Sequence, residues 1–237
     1  MIFLDYCLSL SAWLPPEQTR PDKLGSGLDA RGANWSGCSL GEGDLSGARL
    51  CRCDLRGTDL SGCRLDGADL RLARYDSHTR WPDSFDVNNS GAVGPGARLN
   101  GAFLNGTDLR GMDLRGAYVM GAYLSGADLS GAVIDGVSFA SSDLRNAILR
   151  GCSCRGARFG LCQLDFADFR GANLTDADIA GAESIRGADF SLSHGLEAQV
   201  PKLLERGYYE LDCWNVLTRQ NTREALETLI QVDYSNN

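Results

Sequence analysis

Histidine is scarce, with two in 237 residues, His78 and His194. Each stands alone beside an irregular stretch. A lone histidine there is ordinarily a solvated side chain, so neither is expected to carry catalysis. Long hydrophobic runs are also missing: nothing approaches the roughly 18 apolar residues of a membrane-spanning helix. Positive charge is in deficit, with 23 Lys and Arg against 31 Asp and Glu and a formal net charge of −8. That leaves no broad basic surface for nucleic acid. No Walker-type phosphate loop is present. The apolar opening MIFLDYCLSLSAWL carries Asp5 and has no basic flank. It is therefore expected to be a structural cap over residues 1–32 rather than a secretory signal.

Glycine, by contrast, is abundant at 29 residues, and it is not scattered. From Ala33 the chain advances in steps of five. The large residue of each step gives Trp35, Leu40, Leu45 and onward to Tyr75, then resumes at Leu99 and runs to Ile179. Two positions before each centre stands a small residue, such as Ala33, Cys38, Cys53 or Thr58; two positions after it glycine is common. A period of five matches neither 3.6 nor 2, which excludes an amphipathic helix and an ordinary alternating strand. It fits a chain that turns a corner every five residues, with glycine permitting the turn. One step cannot bury its own leucine, so the steps must stack and the stack must be the core.

Steps such as Ala68-Asp69-Leu70-Arg71, Thr107-Asp108-Leu109-Arg110-Gly111 and Ala127-Asp128-Leu129-Ser130-Gly131 resemble the A-(D/N)-L-x-x motif of the pentapeptide-repeat family. The resemblance covers residues 33–77 and 97–192. It implies an all-β solenoid, a right-handed quadrilateral β-helix with four steps per coil. Residues twenty apart should then stack. One core column would hold Leu109, Leu129, Leu149 and Phe169, and a second Val119, Phe139, Phe159 and Ile179. The phase slips by one residue near Ser184, which places Phe190 on Phe169, twenty-one residues on.

Residues 78–96 interrupt the repeat, and Pro82, Gly91, Gly94, Pro95 and Gly96 mark them as an irregular loop. The stretch from Tyr75 through Trp81-Pro82 to Phe85-Asp86 resembles one that recurs in cyanobacterial members of the family. Trp81 and Phe85 either fold onto the wall or meet a partner. Residues 193–237 read as a helical tail that caps the stack or pairs two chains in a homodimer. Leu196 to Arg206 is one helix, with Pro201 weakening it, and Asn221-x-x-Glu224 opens another as a capping box.

Nine cysteines invite a metal or disulfide reading. The period argues against it. Cys38, Cys53, Cys63, Cys152 and Cys162 fall in the small inward slot and Cys154 in a core slot. There thiols act as small hydrophobes, and the two members of Cys51/Cys53 or Cys152/Cys154 are expected to face different surroundings. No metal, cofactor or catalytic residue is expected. Unpaired inward thiols suit a reducing compartment, so the chain is expected in the cytoplasm, with thylakoid lumen or periplasm as alternatives.

Phe103, Tyr118 and Tyr123 stand where the repeat places Asp, and Met120 where it places Ser or Arg. They form a candidate interaction patch, to be covered by Trp81 and Phe85 or left open to a protein partner. The family also includes acidic rods that mimic DNA toward DNA gyrase. Here the repeats are nearly neutral, net −1 over residues 28–77 and −2 over residues 97–192. Asp108, Asp128 and Asp168 share a wall with Arg110, Arg150 and Arg170. A non-catalytic interaction or scaffold protein is thus the first expectation, and a gyrase-directed DNA mimic the alternative.

Overall fold

The structure, a computed structural model, describes residues 24–233. The five-residue step becomes structure through a closed set of backbone hydrogen bonds. In Ala127–Gly131, the Ala127 N–H donates to the Leu124 carbonyl of its own coil at 2.9 Å. The Asp128 N–H reaches back to Thr107 at 3.0 Å, and the Leu129 and Gly131 N–H groups reach forward to Ile148 and Arg150 at 2.7 and 2.8 Å. The fifth N–H, that of Ser130, donates to Asp128 Oδ1 at 2.9 Å. All five amides are satisfied, as burial against neighbouring coils demands. The same side-chain bond recurs at Asn34–Ser36, Asp54–Arg56, Asp113–Arg115 and Asn173–Thr175. It explains the Asp of the motif: a short acceptor two residues back is the one that fits.

The chain forms two compact units, one ending at Val93 and the other beginning at Gly94. In the first, parallel bridges join Asp29 to Arg49 to Asp69, Asn34 to Asp54 to Arg74, and Ser39 to Asp59. Gly43–Asp44 pairs in parallel with Cys63–Arg64. In the second, four columns of bridges rise in steps of twenty residues: Arg98–Tyr118–Ser138–Arg158–Asp178, Phe103–Tyr123–Asp143–Gln163, Asp108–Asp128–Ile148–Asp168 and Asp113–Val133–Ser153–Asn173. The last coil takes twenty-one, with Gln163 on Ser184, Asp168 on Asp189 and Asn173 on His194. Each unit is thus a solenoid of stacked coils.

The step centres are the core. Trp35 and Leu40 to Leu70 are buried in the first unit; Leu109, Leu129, Leu149, Val119 and Ile179 in the second. Phe139 lies flat on Phe159 at 5.5 Å and Phe169 on Phe190 at 5.2 Å, while Phe159 meets Phe169 edge-on at 5.5 Å. These are the favoured aromatic geometries, and each buried ring adds the transfer free energy of a large apolar side chain. The small slot does more than fill space. Thr58, Ser142, Cys152 and Cys162 each donate to the carbonyl of the central residue one coil below, Trp35, Val119, Leu129 and Phe139, at 2.7–2.8 Å. Hydroxyls and thiols interchange there because each brings one donor.

Several boundaries differ from those the sequence suggests. Coil geometry is already present within 24–32: the Leu28 N–H donates to Gly25, and Asp29 bridges Arg49. The expected cap over residues 1–32 therefore extends no further than residue 23, and residues 1–23 lie outside the described region. The loop expected over 78–96 is partly coil. Thr79 fills a small slot and donates to the Leu55 carbonyl at 2.9 Å, and Arg80 bridges Asp59. Ala92 is buried and Val93 bridges Arg74. The excursion proper lies between, with a short 3-10 turn at Val87–Asn89. Asp76 pins its start by accepting from the Gly57, His78 and Thr79 N–H groups.

The expected tail also begins late, since Ser193 is buried and His194 still bridges Asn173. Leu196 to Arg206 is not one helix. It is a 3-10 turn, Glu197–Gln199, followed by a short helix, Val200–Leu204, with Pro201 in the first turn where its missing N–H is harmless. A second helix, Tyr208–Leu211, an antiparallel pair of Trp214–Asn215 with Gln220–Asn221, and a third helix, Thr222–Asp233, complete it. Asn221 Oδ1 caps that third helix by accepting from the Glu224 N–H at 2.8 Å. The tail closes the open end of the second unit. Gln199 Oε1 accepts from Ile179 and Ala180, Glu210 from Ile185, and the Asn215 amide donates to Gly187. These groups take the edge amides and carbonyls that a further coil would otherwise pair.

Phe159 touches both aromatic columns, so Phe159→Ala should destabilise the chain by about 3–5 kcal/mol in urea unfolding.

Candidate functional site

The outward-facing positions carry whatever function the chain has, because every inward one is core. Two walls of the second unit, Asp108–Asp189 and Asp113–His194, are largely polar, with arginines paired to their acids. On the Asp108–Asp189 wall, Arg110 lies 2.8 Å from Asp108 and 3.9 Å from Asp128. Arg150 and Arg170 both bind Asp168, and Arg170 stands 4.0 Å from Asp189. Burial pushes the Asp168 carboxyl up, but the Arg170 and Arg150 hydrogen bonds outweigh it and hold it below the usual carboxylate range. Asp54, between Arg56 and Arg74, behaves the same way. The Arg115 and Arg145 guanidinium groups hold Asp113 and Asp143 down as well. These acids serve backbone amides and arginines, not a continuous negative field.

The corner where the Arg98–Asp178 face meets the Phe103–Ser184 face is different. Phe103 and Tyr123 stack in parallel at 4.8 Å, and both are exposed, Phe103 at 73%. Tyr118 and Met120 stand around the corner, 56% and 51% exposed. The fold compensates for the missing Asp at 118 and 123. The Met120 and Ser125 N–H groups, which would have donated to it, are accepted instead by Asn100 Oδ1 and Asn105 Oδ1 from the coil below, at 3.0 and 3.1 Å. The two tyrosines are therefore free of backbone duty.

Leu161 joins the same corner two coils above Met120. It is 65% exposed at φ +57°, where the coils below have Ser141 at +60°, Gly121 at +64° and Gly101 at +67°. A leucine in that region costs roughly 1–2 kcal/mol relative to one in an allowed region. It was missed from sequence although the signal was there: a leucine in the glycine position of the step.

Trp81 and Phe85, expected in the same patch, belong to the first unit. Trp81 stacks on Phe85 at 5.4 Å and meets Tyr75 edge-on at 5.7 Å, both rings half-buried. Among the described residues no group of His, Cys, Asp and Glu could hold a metal ion. The eight cysteines among the described residues are free thiols. Burial pushes Cys53 up to about 12 and Cys162 to about 11. Cys51 and Cys53 do face different ways, toward Asp69 and the Ala30 carbonyl. Cys152 and Cys154 are both buried in the core, where the Cys152 thiol donates to the Leu129 carbonyl. No helix among the described residues is long and apolar enough to cross a membrane.

This arrangement, with an Asp or Asn acceptor recurring through the coils, is that of the pentapeptide repeats, and the family model matches in 8 copies over residues 26–57, 33–71, 96–131, 113–151 and 152–194. The chain belongs to the pentapeptide-repeat family. Similar solved structures include HetL, a pentapeptide repeat protein involved in heterocyst differentiation regulation in the cyanobacterium Nostoc sp. strain PCC 7120. It is 24% identical over 70% of this chain and 91% of its own, with TM-score 0.26. A thylakoid-lumen member from Arabidopsis thaliana is 28% identical over 56% and 90%, TM-score 0.30. Full-length QnrB1, a plasmid-mediated fluoroquinolone resistance protein, is 20% identical over 76% and 94%, TM-score 0.25. At these TM-scores nothing about this chain's activity follows from them. No curated protein matches the chain.

Because Asp54, Asp113, Asp143 and Asp168 are held low in the folded chain, their contribution to stability is present above the unfolded carboxyl value near about 4 and is lost as pH falls through the folded ones. Melting followed by circular dichroism should be steady from about pH 7 to 5 and fall progressively below about pH 4. A melting temperature unchanged at about pH 3 would contradict the ion-paired walls.

Proposed function

We propose that the chain is a non-catalytic interaction module built on a right-handed quadrilateral β-helix, with the Tyr118–Met120–Tyr123 corner as its binding surface. The observation that carries this reading is the pairing of exposure with compensation. Tyr118 and Tyr123 replace the residue the step calls for, and Asn100 and Asn105 make good the loss. The exposed Leu161 adds conformational strain at the same edge. Exposed aromatic and methionine side chains are the composition of protein-binding surfaces. The partner is a protein, not nucleic acid or a membrane, and the setting is the cytoplasm, in keeping with free thiols.

A homodimer through the tail is a second reading, favoured by exposed Tyr208, Tyr209, Trp214, Val216 and Leu217. DNA mimicry toward gyrase is the weaker alternative, because arginines interleave the acids of the Asp108–Asp189 wall. It predicts inhibition of gyrase supercoiling at micromolar protein, and no effect there dismisses it.

The module reading is tested by affinity capture from a native lysate with the full chain and two variants. Tyr123→Asp restores the residue of the repeat, whose carboxylate can accept the Ser125 N–H itself; its melting temperature should be unchanged. Leu161→Gly relieves the strain and should raise stability by about 1 kcal/mol. Both should lose the captured protein. Retention of capture by both, or loss only where the fold is weakened, would sink the reading.

A further inference from the structure

The binding corner has a property that names its partner. Read upward, the bridge column beside it is Arg98, Tyr118, Ser138, Arg158, Asp178, one residue per coil. Successive coils are about 4.8 Å apart, so the column spans roughly 19 Å. Turn a second copy upside down about a two-fold axis lying along the Ser138 rung. Arg98 then faces the partner's Asp178, Tyr118 faces the partner's Arg158, and Ser138 faces itself. On the adjoining corner Met120 meets the partner's Gly160 and Leu161, and Ala140 meets itself, small enough to let the walls approach.

We propose that this face seats a second copy of the same chain, antiparallel and side by side. The proposal rests on the corner being an interface and adds the identity of what covers it. Each end of the column brings opposite charges together, and each flank sets a guanidinium over an aromatic ring. Arg98, Tyr118, Arg158 and Asp178 are all exposed, and Arg158 and Asp178 make no ion pair among the described residues. A parallel arrangement would set Arg98 on Arg98 and Asp178 on Asp178. The Asp108–Asp189 wall fails the same inversion, because it sets Asp108 against Asp189 and Asp128 against Asp168. The chain's net charge of −8 disfavours self-association in general. An isologous contact of this kind closes on itself as a dimer.

The test is sedimentation velocity of the full chain through the micromolar range, read against the 25.5 kDa monomer. The expected result is a concentration-dependent dimer. Arg98→Asp should weaken it about tenfold, and so should Asp178→Arg, since each sets like charges opposite one another. The Arg98→Asp/Asp178→Arg double variant restores both pairs and should recover most of the affinity. Leu161→Gly should weaken the dimer while raising the melting temperature. A dimer indifferent to the charge changes, or lost instead with Trp214→Ser and Leu217→Asp in the tail, overturns the proposal. A monomer at every concentration also overturns it. If Tyr123→Asp and Leu161→Gly still abolish capture of a different protein, the interface reading survives and only the self-pairing falls.

Discussion

Each five-residue step must place five amide N–H groups, and the coil geometry offers backbone partners for four. The fifth is the amide two residues after the bridge position. It needs an acceptor that is short, close and pointed outward, and the bridge Asp or Asn supplies it, as Asp128 does for Ser130. A solenoid cannot leave that group unpaired at every turn. The motif therefore looks like a surface code but is a backbone requirement. Bridge acids such as Asp128 and Asp168 are committed before any partner arrives, and arginines beside them are committed in turn, as Arg170 is to Asp168.

From that constraint follows what counts as information on the surface. An Asp at a bridge position says little about function. An aromatic there says more, because the step gives up its own acceptor. The structure shows the replacement: Asn100 and Asn105, each one coil below, take over for Tyr118 and Tyr123. Gln199 does the same at the end of the stack, accepting from Ile179 and Ala180 where no coil follows. Met120 and Leu161 lie on the same corner as the two tyrosines, so four exposed apolar departures from the repeat share one edge.

Much of this was legible in the sequence, and what was not has physical causes. The period of five and the twenty-residue columns could be read because large centres repeat without a break from Leu99 to Ile179. The first coil was hidden because Gly25 and Ala30 stand where the centres should be, so the leucine signal is absent although the bonds are there. The end of the interruption was hidden likewise: Val93 bridges Arg74, but Gly94 follows in place of a leucine. The tail hairpin is two residues on each side, too short for any alternation to show. The Asn100 and Asn105 compensation needs a residue and its acceptor twenty positions apart to be seen as neighbours, which requires the coil count first.

Residue-resolved amide hydrogen exchange across Ala127–Gly131, in the parent chain and in Asp128→Ala, tests the closure of the step most directly. The account predicts that all five amides are protected in the parent, and that Ser130 alone loses protection in the variant while Ala127, Leu129 and Gly131 keep theirs. An equally slow Ser130 amide in both proteins would contradict it, and so would a uniform loss along the step.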